Sequence, residues 1–139
     1  MTMTNTHTTD FGELVPEVLG HLPEIKALYV FGSRAQGEAR PDSDLDLAVL
    51  VGTELPETKL WETAQHLASR IGMEVDLVNL SKASTVMQMQ VVRGGRRLYC
   101  ADEQVCGEFE DFVYSSYARL NGERAGILQD IAQRGRIYG

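Results

Sequence analysis

Apolar positions recur with two different periods along the chain, which predicts helices and strands in alternation. Repeats of three and four residues predict helices at Phe11–Leu22, Leu60–Ile71, Ser81–Gly94 and from Asp102 onward. Short runs of β-branched and aliphatic residues predict strands at Ile25–Phe31, Leu45–Val51, Val75–Leu80 and Arg97–Cys100. This order predicts an α/β fold in which helices cover a small mixed sheet of about four strands.

The first two predicted strands meet at an unusual arrangement of small and acidic residues. Gly32-Ser33 ends the first run, and after ten residues Asp44-Leu45-Asp46 opens the second. On a strand, residues two apart point to one face, so Asp44 and Asp46 project together, with Cα atoms about 6.5–7 Å apart. They share this face with Ala48, where a buried surface begins. Carboxylates at such a boundary need a partner, either a metal or an arginine.

A third carboxylate, Asp76, lies in the middle of an otherwise apolar strand and shares a face with Val78. Taken alone, Asp76 is equally consistent with a structural acid paired with an arginine. If its strand lies beside that of Asp46, three carboxylates converge. Carboxylates beside a small-residue turn with free backbone N–H groups can hold Mg²⁺ and a triphosphate together. The three features jointly predict a nucleotidyltransferase site.

This pattern resembles the motif of the minimal nucleotidyltransferases of the DNA polymerase β superfamily, which is Gly-Ser, ten residues, Asp-x-Asp and a later Asp. Gly32, Ser33, Asp44, Asp46 and Asp76 fall on those positions. The similarity extends into residues 117–131 and points to the MntA type of antitoxin, which is paired with a HEPN ribonuclease. The resemblance implies a polymerase β-type palm with a C-terminal helical extension. We therefore expect a flexible tail at 1–10, a nucleotidyltransferase domain at 11–100 and an extension at 101–139 packed on the same domain.

The resemblance also implies a reaction. ATP is the expected substrate, with two Mg²⁺ ions held by Asp44, Asp46 and Asp76. Ser33 joins these acids as the catalytic set, and Gly32, Ser33 and Arg34 are the expected nucleotide-binding residues. The implied product is an AMP-modified tyrosine on a HEPN-type ribonuclease toxin, which is thereby neutralised. Whether Asp76 is a general base or only a metal ligand stays open, as does whether Arg34 meets a phosphate or pairs with Glu38 one turn later.

Two other functions remain as alternatives. One is a stand-alone nucleotidyltransferase acting on a small molecule, but a chain of 139 residues leaves little room for an acceptor pocket. The other is a non-catalytic antitoxin that blocks its partner by steric binding. The complete set of Ser33 and three acids argues against a degenerate site, because nothing structural requires all four.

Charge and composition limit the partners and the location. Thirteen Lys and Arg against twenty Asp and Glu give a net charge of −7, and Arg93, Arg96 and Arg97 are the one dense basic cluster. We therefore expect no direct nucleic-acid binding. Without an apolar run of about 18 residues or a signal peptide, we expect no membrane association and a cytoplasmic protein. Cys100 and Cys106 are predicted to be free thiols.

Aromatic residues outside the motif have ordinary structural interpretations. Trp61 is interpreted as a packing residue of the core or its edge rather than as a platform for adenine. The last helix carries four aromatic residues, Phe109, Phe112, Tyr114 and Tyr117. Core packing accounts for some of them, and a partner surface for the rest.

Overall fold

The computed structural model describes residues 11–37 and 44–138, apart from the side chains of residue 36 and of residues 127–138. The helices are α1 (Val15–His21), α2 (Gly32–Gln36), α3 (Glu57–Ile71), α4 (Thr85–Gly94) and α5 (Glu103–Tyr138). The strands are β1 (Ile25–Phe31), β2 (Leu45–Val51), β3 (Val75–Asn79) and β4 (Arg96–Cys100). Single 3₁₀ turns occupy Phe11–Leu14 and Leu80–Lys82. The predicted α/β fold is confirmed.

The sheet is mixed, as the sequence predicts, and has the strand order β3-β2-β1-β4. Strand β1 pairs antiparallel with β2 on one side and with β4 on the other. Strands β2 and β3 run parallel, with α3 between them in the chain. A parallel pair needs such a crossover connection, whereas an antiparallel pair does not. The predicted site residues therefore lie on or directly beside three adjacent strands. Gly32, Ser33 and Arg34 follow β1 in α2, Asp44 precedes β2, and Asp46 and Asp76 lie on β2 and β3.

Alternation along β2 divides the core between the two faces of the sheet. Leu47 and Val49 belong to the cluster that includes Leu67 of α3, and residues of α1 join the same cluster. Ala48 belongs to the cluster on the opposite face, which includes Val91 of α4 and residues of α5. Because residues two apart on a strand share a face, Asp46 points to the side that α4 and α5 cover.

Helix α4 begins later than the sequence predicts. The expected start at Ser81 is wrong, because Leu80–Lys82 form a 3₁₀ turn and the Ser81 hydroxyl donates to the Val51 carbonyl at 2.9 Å. Ser84 then caps the helix, its Oγ accepting from the Met87 N–H at 3.1 Å. A side-chain acceptor at this position satisfies one of the free N–H groups of the first turn.

The prediction of free thiols is also wrong, since the structure joins Cys100 and Cys106 in a disulfide. Cys100 ends β4, and Cys106 lies fully buried in the first turns of α5. The short connection between the two elements brings the Cα atoms to 6.6 Å, within the usual span of a disulfide.

Helix α5 is tied to the sheet by a polar group inside the interface. The Tyr29 hydroxyl on β1 donates to Glu110 Oε2 at 2.7 Å, and Arg97 Nη1 on β4 donates to the same oxygen at 3.1 Å. Arg97 Nη2 also donates to Glu103 Oε1 at 2.8 Å. Burial, and then the hydrogen bond to Glu110, raise the pKa of Tyr29, so this hydroxyl stays protonated.

The aromatic residues divide between the core and the surface. Phe109 packs against the buried cluster, whereas Phe112 is 58% and Tyr114 44% exposed. Trp61 is 64% exposed, so the interpretation as a core residue is wrong.

Among the helices that the structure describes, none is both long enough and apolar enough to cross a membrane. Two predictions concern residues outside those that the structure describes. They are the flexible tail at 1–10 and the glutamate expected to pair with Arg34.

Candidate active site

A left-handed turn joins β1 to α2 directly beside the central acid of the site. Gly32 has φ +75°, a conformation that favours glycine. A Cβ at this position would collide with Asp46 Oδ2 and lie 3.3 Å from Asp46 Cγ. Gly32 therefore lets the backbone of the turn approach the carboxylate. Ser33 and Arg34 follow in α2, and both are half-buried.

Asp46 lies at the centre of the three acids. It pairs with Phe31 across β1 and β2, and it is the register partner of Asp76 across the parallel strands β2 and β3. Asp44 stands immediately before β2 with its side chain exposed, and Asp76 is exposed on the edge strand. The strand of Asp76 thus does lie beside that of Asp46. The chemical roles of these residues stay predictions.

The acids repel one another where the sheet begins to exclude water. Burial raises the pKa of Asp46, and the negative charges of Asp76 and then Asp44 raise it further. The ion pairs that the structure describes use four other acids, namely Glu17, Glu54, Glu103 and Glu110. A bound cation at Asp46 would therefore relieve both the repulsion and the desolvation.

The donors suit a metal that arrives with a nucleotide. Within the described part of the chain, no group of three or more His, Cys, Asp or Glu side chains is arranged to hold a metal ion without further ligands. The set around Asp46 is open, because the side chains of Asp44 and Asp76 face solvent. Mg²⁺ commonly binds in this manner, through one or two carboxylates, with phosphate oxygens and waters completing the octahedron. The residues therefore fit Mg²⁺ in the presence of a triphosphate.

Two grooves open beside the acids, and the sequence predicted neither. The first, which we call the α4–α5 groove, has a volume of about 590 Å³ and is lined by Phe31, Gly32, Met89, Arg93 and Tyr117 among others. Its residues come from β1, α4 and α5, so only their packing reveals it. Arg93 was noticeable in the sequence as part of a basic cluster, without any indication that it lies near Gly32.

The second, the β3-edge groove, has a volume of about 390 Å³ and lies along the outer edge of the sheet. Asp76 and Trp61 both line it. The exposed ring of Trp61 therefore lies near the third acid, which the interpretation of Trp61 as a packing residue did not anticipate. Asp76 is thus accessible from outside the sheet.

The site can be compared with known proteins. Residues 13–104 match the family described as polymerase beta nucleotidyltransferases, and this span contains the turn and all three acids. The chain belongs to this family. This polymerase beta nucleotidyltransferase is 40% identical over 111 residues to the protein adenylyltransferase MntA of Shewanella oneidensis. The match covers 80% of this chain and 79% of that protein.

The solved structures similar to this nucleotidyltransferase include toxin–antitoxin complexes. One, a toxin–antitoxin with AMP-PNP, is 37% identical with a TM-score of 0.76, covering 86% of this chain and 97% of the other. Another holds a tri-AMPylated HEPN toxin of Shewanella oneidensis with MNT antitoxin. It is 34% identical with a TM-score of 0.70, covering 86% of this chain and 92% of the other. These likenesses support the predicted palm with its C-terminal helix.

Proposed function

We propose that this nucleotidyltransferase is an antitoxin that transfers AMP from ATP to a tyrosine of a cognate HEPN ribonuclease toxin. The observation that carries the proposal is the grouping of Asp46, Asp76 and the Gly32 turn where β1 ends and β2 and β3 begin. The 40% identity to a protein adenylyltransferase supports the reaction, and the likeness to antitoxins in solved complexes supports the partner.

The Gly32 turn is the proposed phosphate-binding element. The Ser33 hydroxyl and the backbone N–H groups of residues 32–34 donate to the terminal phosphates, and Arg34 adds positive charge on the same short helix. Gly32 matters because a Cβ at this position would collide with the Asp46 carboxylate. The turn thereby holds the triphosphate against the acids.

Asp44, Asp46 and Asp76 are the proposed ligands of Mg²⁺, and we infer two ions from the number of carboxylates and phosphates to be joined. The metal would supply charge neutralisation for the phosphate oxygens on which negative charge builds up. Asp46, half-buried between the other two acids, fixes the position of the site, whereas exposed Asp44 and Asp76 can adjust to the nucleotide. This arrangement positions the α-phosphate beside β2 and β3.

The acceptor hydroxyl is proposed to reach the α-phosphate from the β3-edge groove, where Asp76 is open to a macromolecular partner. The tyrosine oxygen forms a bond to the α-phosphorus while the bond to the β-phosphate oxygen breaks, and pyrophosphate leaves. Asp76 accepts the phenolic proton. The attached AMP places negative charge and bulk where the toxin must bind RNA phosphates. We place this reaction in the cytoplasm, where ATP and RNA are both available.

Intact-mass measurement of the toxin tests the proposal. The protein is incubated with Mg²⁺, ATP and the HEPN-type toxin encoded beside it. The toxin should gain the mass of one or more AMP units with the wild-type protein and none with the double variant Asp44→Asn, Asp46→Asn. Ribonuclease activity that is lost without any change in toxin mass would overturn the enzymatic proposal and favour steric neutralisation. Transfer of AMP to a small molecule alone would overturn the toxin as substrate.

A further inference from the structure

We propose that the α4–α5 groove is the nucleoside subsite, in which Tyr117 and Met89 hold the adenine base and Arg93 contacts the phosphates. This inference rests on the proposed function, because it takes ATP as the substrate. It adds residues that the motif does not contain, from two helices that lie far along the chain from Gly32.

The position of the groove supports this assignment. Gly32 lines its wall, and Asp46 is the neighbour that a Cβ on Gly32 would strike. The groove and the acids also share one face of the sheet, since Phe31 lines the groove and pairs with Asp46. A triphosphate held at the Gly32 turn would therefore have this groove directly beside it to receive the nucleoside.

Size and chemistry favour the groove. Its volume of about 590 Å³ falls in the range of sites that enclose nucleotide-sized ligands. Val86, Met89 and Arg93 follow one another at spacings of three and four residues, so they form one stripe on α4. Tyr117 faces them from α5. An aromatic ring opposite a thioether is a suitable environment for a planar base, because both surfaces are apolar and polarisable.

Arg93 is well placed to provide the positive charge. It lies in the last turn of α4 with its side chain exposed, and the ion pairs described in the structure do not include it. Neighbouring Arg97, by contrast, is committed to Glu103 and Glu110.

The end of α4 is also fixed against β1. A Cβ on Gly95 would lie 2.5 Å from the Val30 carbonyl oxygen and 3.1 Å from Phe31 Cβ, so only glycine allows this close approach. The approach holds Arg93 near the Phe31–Gly32 turn. A guanidinium that forms no ion pair with the described residues and lies beside the proposed phosphate turn is the chemistry that a triphosphate needs.

This assignment defines opposite entrances for the two substrates. With the nucleoside in the α4–α5 groove, the α-phosphate lies over Asp46 and Asp76. The acceptor then approaches from the β3-edge groove, on the far side of the acids. In-line displacement requires the acceptor oxygen to lie opposite the leaving pyrophosphate, and the β3 edge and the Gly32 turn proposed to hold the terminal phosphates lie on either side of β2.

Calorimetric titration of the full chain with Mg²⁺ and either ATP or inorganic tripolyphosphate tests the subsite. Tyr117→Ala and Met89→Ala should each weaken ATP binding, by about 5- to 100-fold for the lost stacking surface at Tyr117. Neither should change the affinity for tripolyphosphate, which has no base. Arg93→Gln should weaken both ligands by about tenfold.

Matched controls separate the subsite from general effects on the helices. Phe112→Ala removes an exposed aromatic residue from α5, and Arg96→Gln removes an exposed arginine just beyond α4; neither residue lines the groove. Both variants should bind ATP as the wild type does. Tyr117→Phe should retain ATP affinity, since it keeps the ring, and this variant shows whether Tyr117→Ala acts through stacking or through the fold.

Two results would overturn the inference. One is an unchanged ratio of ATP to tripolyphosphate affinity in Tyr117→Ala and Met89→Ala. The other is a wild-type protein that binds tripolyphosphate as tightly as ATP, which would mean that the nucleoside makes no contact. Because no toxin is present, these results are independent of whether the toxin is the true acceptor.

Discussion

Asp46 of β2 and Asp76 of β3 stand directly side by side in a parallel strand pair. Helix α3 creates this relationship, because it returns the chain to the start of β3 so that the two strands run in one direction. Paired residues on neighbouring strands point to the same face, so the two carboxylates meet beside the Gly32 turn. Two acids so close together are unfavourable for folding, which is typical of a site that serves binding or catalysis.

The first prediction concerns this group of acids. The double variant Asp44→Asn, Asp46→Asn should lose AMP transfer, since it removes the charge that would hold Mg²⁺. It should keep the fold and, without metal, be no less stable than the wild type, because neutral amides relieve the repulsion around Asp46. Transfer is measured by labelling the toxin from radioactive ATP, and stability by urea unfolding in EDTA.

A control at an exposed acid tests the specificity of this effect. Asp111 lies exposed on α5, away from the β2–β3 edge. Asp111→Asn changes the net charge in the same sense and should leave transfer intact. If the double variant labels the toxin as strongly as the wild type does, the site has been assigned to the wrong residues.

The second prediction separates binding from chemistry at Asp76. Asp76→Asn should bind ATP with Mg²⁺ within a modest factor of the wild-type affinity, because Asp44 and Asp46 retain a metal. Transfer to the toxin should fall by about 10²- to 10⁴-fold if Asp76 accepts the proton of the acceptor. Single-turnover kinetics and calorimetry on the same preparations give both quantities. A parallel loss of affinity and rate would instead point to a structural role for Asp76.

The third prediction compares two glycines with nearly identical backbones. Gly32 has φ +75° and Gly72 has φ +73°, so alanine at either position costs about 1–2 kcal/mol of backbone strain. Only Gly32 has a neighbour, Asp46, in the way of a Cβ, whereas Gly72 faces open space. Gly32→Ala should therefore lose about 1–3 kcal/mol more stability and also lose transfer.

Gly72→Ala is the matched control, because it carries the strain without the collision and lies at the end of α3. It should unfold at a lower urea concentration than the wild type yet transfer AMP normally. Equal losses of activity in both variants would mean that strain, rather than contact with Asp46, accounts for the glycine in the motif.

The sequence predicts the sheet and the acids well because both depend on local signals. Runs of alternating or continuous apolar residues locate β1 and β2 to the residue, and the spacing around Gly32, Asp44 and Asp46 is contained in one stretch of chain. The sequence predicts that Asp76 lies near these residues only if its strand is the neighbour of β2. The pairing of β2 with β3 in the structure meets that condition.

The errors arise where distant parts of the chain meet. Ser81 looks like a helix start, but its hydroxyl binds the carbonyl of Val51 on β2, thirty residues away, so the helix begins later. The sequence also leaves open which aromatic residues of α5 are buried, and Phe112 is exposed because α5 contacts the sheet along another line, through Glu110. The α4–α5 groove escapes prediction for the same reason, since Arg93 and Gly32 become neighbours only through packing.

The fourth prediction is a pH dependence of stability. Burial and the charges of Asp76 and Asp44 raise the pKa of Asp46 in the folded state above its unfolded value. The stabilising contribution of protonated Asp46 is therefore complete below about pH 4 and is lost as the pH rises through the raised pKa. In metal-free buffer, the stability of Asp46→Asn relative to the wild type should increase from pH 4 to pH 7.

Urea unfolding at a series of pH values, with EDTA present, measures this difference. Asp111→Asn again serves as the control, because it changes the net charge in the same sense at an exposed position on α5. A difference between Asp46→Asn and the wild type that stays constant over this range would mean that Asp46 titrates normally. Added Mg²⁺ and ATP should remove the advantage of the variant, because the ligand stabilises only the wild-type carboxylate.

The fifth prediction concerns the polar contact that attaches α5, and with it Tyr117, to the sheet. Tyr29→Phe removes one donor to Glu110, but Arg97 still pairs with that carboxylate, so the cost should be about 1 kcal/mol. Glu110→Ala should cost about 2–3 kcal/mol, since it leaves the buried Tyr29 hydroxyl and one side of Arg97 without their acceptor.

The two changes should not be additive, because both act on one hydrogen bond. In a double-mutant cycle measured by urea unfolding, Tyr29→Phe with Glu110→Ala should cost less than the sum of the single variants, since the phenylalanine no longer needs an acceptor. Glu108→Ala is the control on the same helix: Glu108 is exposed and bonds only to Gln104 among the described residues, so its loss should be small and additive with Tyr29→Phe. Strict additivity of Tyr29→Phe and Glu110→Ala would mean that the bond contributes nothing to holding α5.

If the bond does hold α5 against the sheet, Glu110→Ala should also weaken ATP binding more than tripolyphosphate binding. The reason is that the helix that carries Tyr117 is then less firmly placed beside the α4–α5 groove.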